Sequence, residues 1–191
     1  MKSLLILLIF LSAPSFAQDK GVVVNLENGK QLVLKNSTDD PNNYKRYEYI
    51  KYLPEIKHHL IDLFYYEGSV KALISNRTGK EITIIGEPNI SPDGKRIVSV
   101  SASIAYTNGG VMVHKLSGDE YEQEYFLRED GTYQFEKWIS SSEFVLKNNR
   151  YTEDACEKGG YVWVPEIFSL GANGWISKMG LEKHENCEFS P

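Results

Sequence analysis

The sequence predicts an all-β domain built from antiparallel strands, and three observations support this fold class. Short apolar runs recur along the chain, and turn sequences rich in Gly, Asn and Asp separate them. Around residues 98–103, Val98, Val100 and Ala102 alternate with three serines, which is the period of a half-buried strand. The turn that precedes this strand has a specific chemical signature, described below. We therefore expect a strand-dominated protein.

Residues 1–17 have the pattern of a secretory signal peptide. Lys2 supplies the positive charge, Leu4–Leu11 the apolar segment, and Ser15-Phe16-Ala17 a cleavage site. The apolar segment is shorter than the roughly 20 residues needed to span a bilayer. We expect cleavage before Gln18, no membrane span in the mature chain, and a single domain over residues 18–191 in the periplasm or outside the cell.

The charge of the mature chain argues against a nucleic-acid partner. Removal of the leader takes Lys2 from the 21 basic residues and leaves 20, against 26 acidic residues, so the formal net charge is −6. A protein that binds phosphates normally carries a dense basic patch. The only local one is Lys45-Arg46 with Lys51.

The first segment of the mature chain predicts a hairpin and a polar loop. Strands are expected at Val22–Leu26 and Gln31–Leu34, because Asn28-Gly29 between apolar runs is a strong hairpin signal. The loop Asn36–Asn43 carries acids and amides but lacks the ligand spacing of a calcium loop.

The segment Tyr44–Tyr52 is the strongest candidate for a binding surface. On a regular strand, Tyr47, Tyr49 and Lys51 would share one face, with Arg46, Glu48 and Ile50 on the other. Tyrosine offers a large contact area at low entropic cost, and the interleaved cations suit an acidic partner. The candidate binding residues here are Tyr44, Lys45, Arg46, Tyr47, Tyr49 and Lys51. The alternative is that these rings cover a small β core.

The pair His58-His59 lies in the next predicted strand, which continues through Leu60 to Tyr66. Adjacent side chains of a strand point to opposite faces, so the two imidazoles cannot chelate one ion there. We expect no metal and no other cofactor.

The turn Ser91-Pro92-Asp93-Gly94 has a residue-by-residue rationale. Pro92 sets φ for the second turn position, Asp93 can hydrogen-bond the local backbone, and Gly94 can adopt positive φ. With the strand that follows, SPDGKRIVSVS resembles the SPDGK core of the WD40-like repeat in periplasmic β-propellers of the TolB type. The order of YLPEI, YYEG, RTGKE and SPDGKR is also similar to small exported bacterial proteins of unassigned function.

This resemblance implies sheets arranged as propeller blades of about 40 to 45 residues. Two blade-like repeats are expected within residues 70–148, one over Val70–Ala102 and one over Val111–Leu146. The second departs from the family pattern, because Ser140-Ser141-Ser142-Glu143 stands where Pro-Asp-Gly-Lys would be. A ring needs at least four blades, so a propeller-like unit, a sandwich and a barrel are all consistent with the sequence.

The last segment predicts two strands, Tyr161–Val164 and Trp175–Lys178, that two cysteines bracket. Trp163 and Trp175 could line a groove for a sugar or a peptide, or be buried in the core. In an exported chain, Cys156 and Cys187 are expected to form a disulfide that closes this segment. A metal site with His184 is the alternative, but it offers only three N/S ligands.

The sequence contains no motif of a nucleophilic, metal-dependent or nucleotide-dependent enzyme. We therefore expect a non-catalytic module that recognises an envelope or secreted protein, or a glycan; an inhibitor or immunity-type protein would be one such module. The alternative is a hydrolase of envelope polymers that uses a pair of carboxylates, since the chain has 26 acidic residues.

Overall fold

The structure, a computed structural model, describes residues 21–39, 41–101, 110–128, 132–152 and 160–180. In these ranges the regular elements are β-strands, apart from a short 3₁₀ turn at Pro41–Asn43. The described strands form one two-stranded and three four-stranded antiparallel sheets, none of which closes on itself. The predicted all-β class is confirmed.

Each sheet is a meander of strands that are consecutive in the chain. The N-terminal hairpin consists of β1 (Val22–Asn25) and β2 (Gln31–Leu34). The first sheet consists of β3 (Arg46–Leu53), β4 (His58–Tyr65), β5 (Gly68–Ser75) and β6 (Glu81–Ile84). The second sheet consists of β7 (Asn89–Ile90), β8 (Arg96–Ser101), β9 (Gly110–Ser117) and β10 (Glu120–Arg128). The third sheet consists of β11 (Thr132–Ser140), β12 (Glu143–Thr152), β13 (Gly160–Gly171) and β14 (Gly174–Met179).

The hairpin and the three sheets stack face to face in chain order, with an apolar cluster at each interface. The hairpin packs on the first sheet through Val24, Leu34, Ile61, Ala72 and Ile74. The first sheet packs on the second through Leu53, Leu60, Leu73, Ile84, Ile97 and Leu116. The second packs on the third through Val98, Val111, Val113, Tyr133, Phe144, Leu146, Phe168 and Trp175.

The first and second sheets are buried on both faces, and their sequences reflect it. Leu60 pairs with Leu73 across the first sheet and faces the second sheet, whereas the next pair, Ile61 with Ala72, faces the hairpin. A strand covered on both sides needs consecutive apolar residues instead of alternation. The third sheet is covered on only one face in this stack. Its other face carries exposed residues such as Lys147 and Trp163 together with the buried Val145.

Polar contacts also join neighbouring sheets. Between the first and second sheets, Asp119 accepts a hydrogen bond from Ser75 at 2.7 Å and pairs with Arg77. Between the second and third, Arg96 donates to the carbonyl of Ser141 at 3.2 Å, and a two-pronged ion pair with Glu124 of its own sheet holds the guanidinium in place. These contacts give each interface a fixed register in addition to apolar burial.

The SPDG turn joins β7 to β8 and is held by its own side chains. The Ser91 hydroxyl donates to Asp93 at 2.7 Å and accepts the Arg96 backbone N–H at 2.9 Å, while Asp93 accepts the Lys95 N–H at 3.0 Å. Gly94 has φ +69°, the left-handed conformation that the turn chemistry predicts. The turn is therefore specified locally.

Gly94→Ala is expected to lower the free energy of unfolding by about 1 kcal/mol, because an L side chain is strained at positive φ. The added Cβ would lie 3.6 Å from the nearest atom, the carbonyl oxygen of Glu55, so steric overlap contributes nothing. Gly68→Ala is the matched control, since a Cβ there meets no atom within 4 Å and φ is not positive. Urea denaturation of both variants measures the difference. Equal stabilities would contradict the role assigned to Gly94.

The sheet boundaries differ from the predicted repeats. Strands β5 and β6 belong to a sheet with β3 and β4, and the range 70–148 covers half of the first sheet, the whole second sheet and half of the third. The prediction grouped strands by the spacing of turns, whereas the pairing of β4 with β5 through the tight turn after Tyr65 sets the actual grouping. The predicted signal peptide, and the predicted disulfide between Cys156 and Cys187, lie outside the described residues.

Candidate functional site

The tyrosine-rich segment forms β3, which is an edge strand of the first sheet. A β-bulge at Ile50, between Tyr49 and Lys51, interrupts its pairing with β4. Before the bulge Tyr49 pairs with Ile61, and after it Tyr52 pairs with His59. Because a bulge shifts the alternation by one residue, Tyr47, Tyr49 and Tyr52 share the face on which the hairpin lies.

The three rings on this face have different environments. Tyr47 packs against the apolar cluster beneath the hairpin, and its backbone N–H donates to the Asn36 side chain at 2.9 Å. Tyr49 and Tyr52 remain 42% and 38% exposed, beyond the edge of the hairpin cluster. Tyr47 thus supports the core, as the alternative interpretation held, and the outer two rings form a surface.

His59 connects the two exposed rings. Its imidazole lies 5.0 Å from the Tyr52 ring and 5.9 Å from the Tyr49 ring, between centroids, and both pairs are tilted. We call the surface formed by Tyr49, Tyr52 and His59 the tyrosine ledge. Tilted packing at these distances is favourable for aromatic rings and restricts their rotation.

Hydrogen bonds fix the ledge to the turns beneath it. His59 Nε2–H donates to the Asn76 side-chain oxygen at 3.1 Å, which leaves Nδ1 to accept from the Tyr49 hydroxyl at 3.3 Å. The backbone of Asn76 donates to the carbonyl of Lys57 and accepts the N–H of Glu27. The ledge is therefore anchored to both the β3–β4 turn and the hairpin.

The Tyr49 hydroxyl is a neutral donor and acceptor near pH 7. Burial raises the pKa of Tyr49 above its ordinary value, and the nearby Tyr52 raises it further. Burial also raises the pKa of Tyr47, with smaller contributions from Glu81 and Tyr65. The ledge consequently offers apolar ring area together with the uncharged hydroxyl of Tyr49.

The predicted cationic residues are not gathered beside the tyrosines. Lys51 pairs with Leu60 on the opposite face, so the prediction that it shares a face with Tyr47 and Tyr49 is wrong, and the bulge is the reason. Arg46 also lies on that opposite face, over the ring of Phe64 and 3.0 Å from Glu48.

Two further predicted residues lie at the start of this segment. Lys45 exchanges two backbone hydrogen bonds with Ser37 and lies 6.0 Å from the centroid of the Tyr65 ring. Tyr44, which precedes β3, is half-buried. Neither residue joins the ledge, so the local positive patch is divided between two faces of the sheet.

The predicted groove between Trp163 and Trp175 is not formed. Trp175 is 6% exposed in the cluster between the second and third sheets, where its ring N–H donates to Glu124 at 3.0 Å. Trp163 is 42% exposed and pairs with Asn149 on the outer face of the third sheet. Trp175 pairs with Leu170, which is an odd number of residues from Trp163 along β13. Because side chains alternate along a strand, the two rings lie on opposite faces of the sheet.

The described acidic residues with displaced pKa values do not have the properties of a general acid. The hydrogen bond from Arg77 lowers the pKa of Asp119. Burial alone would raise the pKa of Glu124 and of Asp93, but hydrogen bonds outweigh it, from Arg96 in the first case and Ser91 in the second. A general acid in a hydrolase needs a carboxyl whose pKa is raised.

The buried imidazole of His58 is also engaged in structure. Burial lowers the pKa of His58, whose Nδ1–H donates to the Ile56 carbonyl while Nε2 accepts from the Tyr121 hydroxyl. Within the described ranges, no three His, Cys, Asp or Glu side chains come together as a metal site. No helix in that part of the chain has the length and apolarity to cross a membrane.

Sequence reasoning identified the tyrosines but missed His59 and Asn76, which hold them. Adjacent histidines on opposite strand faces were predicted, and the structure shows one buried and one on the ledge. The contact of His59 with Asn76 depends on the pairing of β4 with β5, which no local pattern reveals. No protein family model matches the chain, and neither a curated protein nor a solved structure is significantly similar to it.

Proposed function

We propose that the protein is an exported, non-catalytic binding module and that the tyrosine ledge is its recognition surface. The observation that carries this proposal is that Tyr49 and Tyr52 are substantially exposed although His59 holds both rings in place. Large aromatic side chains that are ordered before binding lose little entropy when a partner arrives. This combination favours recognition over a purely structural role.

An envelope or secreted protein is the partner class that suits the ledge best. Tyrosine is enriched among the residues that dominate protein interfaces, and Ile50, 37% exposed at the bulge, adds apolar area beside the two rings. The β3 strand is also a sheet edge, where an extended segment of a partner could pair with the backbone beyond Tyr47, whose own N–H donates to Asn36. An inhibitor or immunity-type protein would use such a surface. A glycan stacked on the rings is the second ligand class.

We also propose that the fold is related to the β-propellers that the SPDGK turn resembles. Three consecutive four-stranded meanders support this relationship. So does the position of the turn, between the first and second strands of the second sheet. The structurally equivalent turns of the other two sheets lie at Pro54–Lys57 and Ser141–Ser142.

A carboxylate-dependent hydrolase is the alternative function. Glu166 is the described acid that is most deeply buried, at 4% exposure, and Asn148 donates to it at 2.9 Å. Its face of the third sheet packs against the second sheet, which leaves no evident approach for a polymer. Incubation of the purified mature protein with envelope polysaccharide and peptidoglycan tests this function. Release of soluble fragments that Glu166→Gln abolishes would establish the hydrolase instead.

Replacement of both Tyr49 and Tyr52 by Ala is expected to weaken partner capture at least tenfold, since a single interface hot spot contributes about 2 kcal/mol. Affinity capture from an envelope extract, quantified by mass spectrometry, measures the loss. The melting temperature should change little, because both rings lie outside the buried clusters.

Tyr66→Ala is the matched control, because Tyr66 is 69% exposed but lies in the β4–β5 turn. It should leave capture unchanged. Tyr47→Ala should instead lower the melting temperature, because Tyr47 packs under the hairpin. Undiminished capture by the double variant would exclude the ledge as the binding surface.

A further inference from the structure

The outer face of the third sheet is the second surface of the molecule with an unusual composition. The register places Lys137, Val145, Ile167 and Lys178 in one row across all four strands. The adjacent row contains Lys147 beside Pro165. This face therefore carries three lysines around a short apolar strip, in a chain whose net charge is −5. Its one carboxylate in the neighbouring row, Glu143, accepts a hydrogen bond from Ser169 at 2.9 Å.

The three lysines are exposed and uncommitted. None of them forms an ion pair or a side-chain hydrogen bond with another described residue, whereas Lys71, Lys80 and Lys115 elsewhere each pair with a carboxylate. Strands lie about 4.8 Å apart, so the backbones of Lys137 and Lys178 are separated by about 14 Å. Lys147 is two residues from Val145 on β12, so its backbone lies about 7 Å from that row along the strand direction. The positive charges are thus spread over the face and do not form a dense cluster.

Trp163 adds a flat aromatic surface to the same face. It is two residues from Pro165 along β13, so it is a diagonal neighbour of Lys147 across the β12–β13 pair. The ring is 42% exposed. The axial C–H groups of a sugar can pack on such a ring. The amine of Lys147, as a diagonal neighbour of the ring, can then reach a carboxylate of the same or the next sugar.

We propose that the outer face of the third sheet binds a carboxylate-bearing polysaccharide, with Trp163 as the stacking platform and Lys137, Lys147 and Lys178 as partners of the carboxylates. Lysine is depleted at protein interfaces, which makes a protein occupant the weaker interpretation. Double-stranded nucleic acid carries a charge about every 1.7 Å of axis, far denser than these widely spaced cations. An acidic polysaccharide, with at most one carboxylate per sugar, fits the spacing.

This surface is separate from the tyrosine ledge, because the first and second sheets lie between them in the stack. The inference does not depend on the proposed function of the ledge. A variant of one surface should leave the other intact, so the two proposals fail independently.

Affinity electrophoresis of the mature protein in gels that contain polygalacturonate tests the proposal, with dextran as the uncharged polysaccharide. We expect retardation by polygalacturonate only, with at least tenfold weaker binding for Trp163→Ala and a several-fold loss for Lys147→Gln. Trp163→Tyr should restore most of the affinity, because it keeps an aromatic platform. Added salt should weaken binding, since the cations contribute directly.

Lys35→Gln, which makes the same charge change on the hairpin, and Tyr66→Ala, which removes an exposed ring elsewhere, should bind like the unchanged protein. Several results would overturn the proposal. For the unchanged protein, they are no retardation by polygalacturonate, equal retardation by dextran, or tighter binding to duplex DNA than to polygalacturonate with the same lysine dependence. For the variants, they are equal losses in the controls or full binding by Trp163→Ala.

Discussion

Glu124→Ala is expected to lower the free energy of unfolding by about 3 to 5 kcal/mol, because it leaves the Arg96 guanidinium without its counter-charge. The two side chains are only 15% and 12% exposed, and their two-pronged contact is 2.8 Å long at its shorter bond. The change also removes the acceptor of the Trp175 ring N–H. Both losses occur at the interface of the second and third sheets. Guanidinium chloride denaturation at pH 7 measures the difference.

Glu122→Ala is the matched control, since Glu122 lies on the same strand and pairs with Lys115 at 3.6 Å in an exposed position. A surface pair of this kind contributes at most about 1 kcal/mol. The double variant Arg96→Met with Glu124→Leu should recover much of the loss, because it removes both charges together. Equal effects of Glu124→Ala and Glu122→Ala would show that the buried pair does not stabilise this interface.

Phe144→Ala should cost about 3 to 5 kcal/mol of unfolding free energy, the usual range for truncation of a buried aromatic ring. Phe144 is completely buried and stacks on Phe168, with centroids 5.0 Å apart and planes 3° from parallel. Trp138 and Trp175 pack against the same ring at 5.2 and 5.1 Å. Truncation would therefore open a cavity lined by three large side chains that cannot easily close it.

Phe126→Ala makes the same chemical change on the second sheet, where the ring is 40% exposed. It should destabilise the protein far less than Phe144→Ala, because it opens no closed cavity. Denaturant midpoints for both variants, together with unchanged slopes, provide the comparison. If the two midpoints shift equally, Phe144 is not the centre of the apolar cluster between the second and third sheets.

Those parts of the fold that depend on adjacent residues were predictable from the sequence. The Asn28-Gly29 hairpin and the SPDG turn form where their residues indicated, and Gly29 and Gly94 both have positive φ. The assignment of strands to sheets was not predictable. Turns of similar chemistry occur both within a sheet and between two sheets, so turns do not mark the sheet boundaries. The boundaries depend on apolar contacts between residues far apart in sequence, such as Ile61 with Val24.

The candidate site shows the same division. The concentration of tyrosines in residues 44–52 pointed to β3, but one inserted residue, Ile50, moved Lys51 to the opposite face and Tyr52 onto the ledge. A bulge has no reliable sequence signature, and a shift of one residue exchanges the two faces of a strand. Composition likewise made Trp163 and Trp175 equivalent candidates, whereas register buried one of them and exposed the other.

The stacking of consecutive meanders has a consequence for the order of folding. The described strands pair with their neighbours in the chain, so each sheet can form as soon as its last strand has been synthesised. Until the next sheet arrives, however, the newest one presents an uncovered apolar face, first Leu60 and Leu73, then Val98 and Val113. At each stage of synthesis, the most recently formed sheet therefore exposes one apolar face that can associate with other chains. It disappears only when the third sheet covers Val98 and Val113, and the outer face of that last sheet carries lysines that oppose further stacking.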